Sequence, residues 1–233
     1  MRNQGRTMKR LLLSMVVLPC SVWAGIPAVA VDVGHGLKAP GARSASGQTE
    51  FSFNQRQARQ LSQVLAARGI GNVLIGEWGE MEKLTDRTDK AAAQRLFVSV
   101  HHDSVQPQYL AESSRFHGYS VFVSRRNPYP QASLACARRI ATALQQRGET
   151  PTLHHHEAIA GENRPLADAA LGVYWFDDLV VLRTARQPAV LVEHGVIVNA
   201  QEEKRLADPA VEHKLAEAVA DGIQACLPAL PLR

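Results

Sequence analysis

The chain has 233 residues, 45% of them hydrophobic and 21% charged, a length that suits one domain with a substantial buried core. Its formal net charge is +4, but Arg2, Arg6, Lys9 and Arg10 lie in a segment that reads as a leader, and without it 22 basic groups face 22 acidic ones. The basicity therefore belongs to the leader, and the charge balance excludes an argument for a nucleic-acid partner.

Those four basic residues precede an apolar run over residues 11–18 and then Val22-Trp23-Ala24, whose small last residue suits a signal peptidase. Residues 1–24 are expected to leave as a signal peptide, and residues 25–233 to reach the periplasm or otherwise leave the cytoplasm as one domain. Cys20 follows Pro19 rather than a small residue, which disfavours lipid attachment against simple cleavage. No later stretch approaches the roughly 20 apolar residues of a membrane helix, so no integral membrane segment is expected after cleavage. No internal repeat, low-complexity tract or linker rich in Pro, Gly or Ser divides the remainder.

In chain order, β-rich runs alternate with stretches of helical period, the pattern of an α/β fold with a mostly parallel sheet. Strands are expected at residues 28–33, 72–75, 96–100, 118–124, 179–182 and 189–193, most of them near-continuous apolar runs as in buried parallel strands. The first helix follows Glu50, with Ala58, Leu61 and Leu65 on one face, a Ser52 to Gln55 capping pair, and Gly69 at its stop. A second is expected over residues 131–147 and a third over 208–226, with Leu215, Val219 and Ile223 as its stripe. Between Gly148 and Asp178 the pattern predicts loop, with a short helix near residues 166–171. Cys136 and Cys226 each share an apolar helical face, Cys136 with Ile140 and Leu144, Cys226 with Val219 and Ile223. Two buried free thiols are the reading preferred over a bridge, although the compartment permits one.

The candidate chemistry collects at element ends. His35 sits in Val33-Gly34-His35-Gly36, Glu50 opens the first helix, and His101 ends Phe97-Val98-Ser99-Val100-His101. In an open parallel sheet, sites gather beyond the carboxyl ends of the strands. Two imidazoles and a carboxylate suit zinc with a position left for water, and the flanking glycines are expected to let a tight turn swing the His35 ring over the strand end. Glu193 ends the run Pro188-Ala189-Val190-Leu191-Val192-Glu193 and is delivered to the same edge, where a carboxylate can act as general base. Each residue also has a plainer reading: a histidine at the core edge, or a carboxylate favoured by a helix dipole.

Taken together, Val31-Asp32-Val33-Gly34-His35-Gly36, Glu50-Phe51-Ser52-Phe53-Asn54, Phe97-Val98-Ser99-Val100-His101-His102-Asp103 and Pro188-Ala189-Val190-Leu191-Val192-Glu193-His194-Gly195 with Asn199 resemble the zinc-dependent N-acetylmuramoyl-L-alanine amidase family, of the amidase-3 type. The resemblance runs from about Pro27 to Leu227. It implies a single domain with a central sheet of about six strands flanked by helices. It also implies zinc, at about one ion per chain, held by His35, Glu50 and His101, with Glu193 as the catalytic carboxylate and peptidoglycan as substrate. The reaction implied is hydrolysis of the amide between N-acetylmuramic acid and L-alanine. His102 stands where the family commonly has a small residue, and Val196 where it usually has an aromatic one. Adjacent side chains of a strand point to opposite faces, so only one of His101 and His102 can serve, and the family pattern selects His101. Asp103 reads as an orienting group rather than the base.

Two other readings stay open on the residues alone: an exported zinc peptidase acting on the stem peptide, and a non-catalytic wall-binding relative of the fold. The run His154-His155-His156-Glu157 is expected to be a solvated loop on the groove rim, since three consecutive residues rarely converge on one ion. Some members of the resembled family carry a long helix, inserted between the third ligand and the catalytic glutamate, that blocks the zinc until a partner moves it. The stretch between His101 and Glu193 leaves little room for one, so no protein activator is implied.

Overall fold

The computed structural model describes residues 28–231 together with Met1, so the expected signal peptide, Met1 apart, and its expected cleavage after Ala24 lie outside the described residues. Strands β1 (Val29–Val33), β2 (Asn72–Ile75), β3 (Leu96–Asp103), β4 (Ser120–Val123), β5 (Leu166–Asp168), β6 (Val173–Trp175) and β7 (Ala189–Val196) form one sheet in the order β2-β1-β3-β7-β4-β6-β5. The β2-β1, β1-β3, β3-β7 and β4-β6 pairs are parallel. β4 runs antiparallel to β7, and β5 antiparallel to β6. The α/β class and the mostly parallel pairing are as expected, but the sheet is mixed and has seven strands.

Helices α1 (Glu50–Ala67), α2 (Leu84–Lys90), α3 (Pro130–Gln146), α4 (Val180–Thr184), α5 (Ala200–Leu206) and α6 (Pro209–Cys226) complete the domain. Period-two alternation along the strands sorts their side chains into two cores. Val29, Val31 and Val33 of β1, with Leu96, Val98 and Val100 of β3, pack in one core with Phe53, Ile140 and Val219 of α1, α3 and α6. Ala30, Phe97, Ala189 and Leu191 face the other way, towards Val181 and Leu182 of α4. The result is helices on both faces of the sheet, the arrangement expected where strands are buried on both sides.

Several local expectations are corrected. Residues 179–182, read as a strand, begin α4 instead, because a four-residue apolar run fits either element and this one buries Val181 and Leu182 against the sheet rather than joining it. Residues 166–171, read as a short helix, contain β5, and β6 follows; three-residue strands held by distant pairing leave no periodic signal. Neither α2 nor α5 was expected. α1 is capped by Thr49, whose hydroxyl accepts from the Ser52 amide, rather than by Ser52.

Cys136 and Cys226 form a disulfide between α3 and α6, with Cα atoms 5.2 Å apart, so the expectation of free thiols fails. Each cysteine does sit on its buried helical face. What the sequence lacks is the crossing: α3 and α6 approach so closely that a Cβ on Gly222 would lie 2.4 Å from the Ile140 Cα.

Candidate metal centre

The sheet order makes β1, β3 and β7 neighbours; His35 lies just past the end of β1, while His101 and Glu193 sit inside the carboxyl halves of β3 and β7, since β7 runs on to Val196 rather than ending at Glu193 as expected. Parallel register sets His101 directly beside Glu193 across β3 and β7. The α1 helix starts beneath this edge and brings Glu50 in its first turn. One ligand atom from each of His35, Glu50 and His101 lies within 4.8 Å of the others. The Glu50 carboxylate spans the two imidazoles, Oε2 standing 3.0 Å from His35 Nε2 and Oε1 3.0 Å from His101 Nδ1.

Glu50 is held from behind by the backbone amide of Ala42 at 3.2 Å and the Asn54 side-chain amide at 3.2 Å. Burial would raise its carboxyl, but hydrogen bonds from His101 and His35 outweigh that and hold it far below the ordinary range. A carboxylate kept ionised between two imidazoles in a partly buried pocket is the donor chemistry that suits zinc.

The turn at His35 differs from expectation. Neither flanking glycine takes a left-handed conformation; His35 itself does, with φ of 67°. The glycines provide clearance instead. A Cβ on Gly34 would meet the His101 ring at 2.3 Å, and one on Gly36 would meet the Gly79 carbonyl oxygen at 2.8 Å. A non-glycine residue with positive φ stores strain that its surroundings must hold. Here the holder is Arg87 of α2, fully buried, which donates to Asp32 Oδ1 at 2.7 Å, to the Val33 carbonyl at 2.6 Å and to the His35 carbonyl. Sequence reasoning missed Arg87. A lone arginine in an unrecognised short helix carries no local signal of burial.

His102 points away from this edge, as alternation along the strand requires. It is buried under α1, with Nδ1 2.8 Å from Asn54 Oδ1 and its ring stacked on His194. Burial and the neighbouring His194 keep it neutral by pushing its pKa well below the usual value. Asn54 thereby links His102, the Gly34 carbonyl and Glu50.

Glu193 and the three clustered side chains differ in their setting. Its Oε2 is buried with no hydrogen-bond partner. Burial first, then the nearby carboxylates of Asp103 and Glu50, push its pKa well above the usual glutamate value. A cavity of about 410 Å³ opens over His35, His101, Asp103, Glu193, His155 and Phe176.

The histidine run is not a solvated loop. His154–His156 form a 3-10 turn in which His154 and His155 are buried and only His156 is exposed. His155 lies between Asp103 Oδ2 and Glu162 Oε2, each at 2.8 Å. Burial lowers its pKa, but the two carboxylates more than reverse this and raise it to about 9. Asp103 turns towards these two histidines, and its backbone neighbour Ser104 donates to Oδ1 at 2.7 Å. The error lay in treating three consecutive residues as one unit. In a tight turn, two can face inward while the third faces out.

Fold and donor set together define an α/β domain with a candidate mononuclear metal site at the carboxyl edge of its parallel strands. Residues 29–225 match the family model described as N-acetylmuramoyl-L-alanine amidase, and the chain belongs to that family. It is 26% identical over 220 residues to N-acetylmuramoyl-L-alanine amidase AmiC of Neisseria meningitidis serogroup B, an alignment covering 85% of this chain and 52% of that one. It is 25% identical over 199 residues to the probable cell wall amidase LytH of Staphylococcus saprophyticus, covering 84% of this chain and 57% of the relative. The chain thus spans about half the length of these curated relatives. Among solved structures, the catalytic domain of CwlV, an N-acetylmuramoyl-L-alanine amidase from Bacillus (Paenibacillus) polymyxa var. colistinus, superposes with a TM-score of 0.68 at 26% identity, covering 87% of this chain and 99% of that one. The N-acetylmuramyl-L-alanine amidase Ami1 of Mycobacterium smegmatis shares the fold with a TM-score of 0.71 at 21% identity, covering 86% of this chain and 96% of that one.

Proposed function

We propose that this chain is a zinc-dependent hydrolase that cuts the amide between N-acetylmuramic acid and L-alanine in peptidoglycan, with His35, Glu50 and His101 holding the metal and Glu193 moving the proton. The observation that carries the reading is the register of β3 and β7, which sets an unpartnered buried carboxyl beside a His/Glu/His cluster on one cavity. Family membership supplies the substrate class.

Zinc bound by these residues would polarise the scissile carbonyl and acidify water, the chemistry such sites supply. Glu50, ionised and braced by Ala42 and Asn54, keeps the two imidazoles facing one point. Arg87 fixes the strained His35 turn. Glu193, which lines the cavity, accepts the proton of the attacking water on its carboxylate and passes it to the leaving amine nitrogen.

Export is part of the same proposal: residues 1–24 serve as a signal peptide and the substrate lies in the cell wall. No helix among the described residues is long and apolar enough to cross a membrane.

The test is digestion of purified sacculi with and without a chelator, followed by product masses. Sugar chains free of peptide and peptides with intact L-alanine ends, both lost on chelation, are expected. Cleavage within the stem peptide would move the assignment to a peptidase.

A further inference from the structure

The reaction above makes no use of the His154-His155 turn, yet the chain buries both rings against the end of β3. Asp103 Oδ2 is 3.2 Å from His154 Nε2 and 2.8 Å from His155 Nε2. One ligand atom from each of the three lies within 4.8 Å of the others, as in the His35, Glu50 and His101 cluster. The ring nitrogens that point away are both held: His154 Nδ1 is 2.8 Å from Thr152 Oγ1, and His155 Nδ1 is 2.8 Å from Glu162 Oε2. That is the outer arrangement of metal-binding imidazoles, whose second nitrogen is oriented by a carboxylate or other acceptor. His154 Nε2 is buried and makes no well-aligned hydrogen bond, its one polar neighbour being Asp103 Oδ2 at 3.2 Å.

We propose that Asp103, His154 and His155 form a second divalent-cation site, distinct from that of His35, Glu50 and His101. Two imidazole nitrogens and one carboxylate oxygen favour zinc. The ion ties the 152–164 segment to the carboxyl end of β3. Because Asp103 and His155 line the same cavity as His35, His101 and Glu193, the remaining coordination position opens to that cavity. The chain then holds two ions where its sequence leads one to expect a single one.

The test is zinc alone, titrated into the purified, metal-stripped chain, with bound metal measured by elemental analysis. Two ions per chain are expected in the unaltered protein. One is expected in the His35→Ala, His101→Ala double variant and one in the His154→Gln, His155→Gln double variant. Zinc should also raise the melting temperature of the His35→Ala, His101→Ala protein, since its second site is intact. Should the His154, His155 variant fail to fold, Thr152→Val keeps all three ligands while removing the hydroxyl that orients His154. It should weaken one of the two ions by about 10- to 100-fold and leave the other unchanged. A single ion in the unaltered protein that persists in the His154, His155 variant would overturn the second site and reduce the cluster to an imidazolium held by two carboxylates. Unchanged stoichiometry in the His35, His101 variant counts against the first site alone.

Discussion

Glu193 separates a catalyst from a protein that merely binds metal. Glu193→Gln preserves shape within β7 and opens no cavity, but removes the proton acceptor. A general acid/base contributes about 10² to 10⁴ in rate, so sacculus digestion should fall by at least that order while zinc stays on His35, Glu50 and His101. Near-normal digestion with zinc in place would move the base elsewhere. A second residue reports through pH. Glu203, buried on α5, accepts from the hydroxyls of Ser44 and Ser46 and from the Ser46 amide at 2.9 Å, tying the turn before α1 to α5. Burial would raise its carboxyl, but these hydrogen bonds outweigh it and hold the pKa below the ordinary value. A lowered folded pKa means the clamp stabilises fully above the unfolded value of about 4.3 and fades as pH falls through the folded one. Glu203→Gln should therefore cost about 1.5–3 kcal/mol near neutrality, and denaturant titrations should show the gap to the unaltered protein shrinking below about pH 4.3. A gap that persists on acidification contradicts the assignment.

At the scale of elements, the Cys136–Cys226 bond closes a loop with a sequence separation of 90 residues between α3 and α6. Constraining an unfolded chain over that length stabilises the fold by about 2–5 kcal/mol. Replacing both cysteines by alanine should lower the denaturation midpoint accordingly and abolish its sensitivity to reductant. Zinc content should not change, since α3 and α6 cover the sheet face opposite that of His101 and Glu193. An unaltered midpoint would mean that the bond adds nothing beyond the close helix packing. The long helices α1, α3 and α6 were legible within a residue or two because an apolar stripe of helical period runs through each. α2, α4, α5, β5 and β6 were not, because helices of five to seven residues show no full apolar stripe and strands of three residues no alternation.

For the molecule as a whole, the segment between His101 and Glu193 matters most. Its regular elements are the end of β3, a 3-10 segment, β4, α3, the His154–His156 turn, β5, β6 and α4. Residues 165–176 contain β5 and β6 at the far edge of the sheet, and Phe176 alone of that stretch lines the cavity. The purified protein should therefore digest sacculi without an added protein activator. Silence until such a partner is supplied would show that some part of this segment closes the cavity.

The sequence by itself determined the α/β class, the course of β1, β3 and β7 and the long helices, and it singled out His35, Glu50, His101 and Glu193 as candidates. These rest on continuous apolar runs, on helical stripes, and on short motifs whose spacing matches a known family. Its two-residue period also sent His101 and His102 to opposite faces without any knowledge of their neighbours. Only the tertiary structure decided that Cys136 meets Cys226, that Arg87 of α2 braces the His35 turn, and that Asp103 gathers His154 and His155. Each of these joins residues 50 or more positions apart, through helix crossings and strand order that no local pattern encodes.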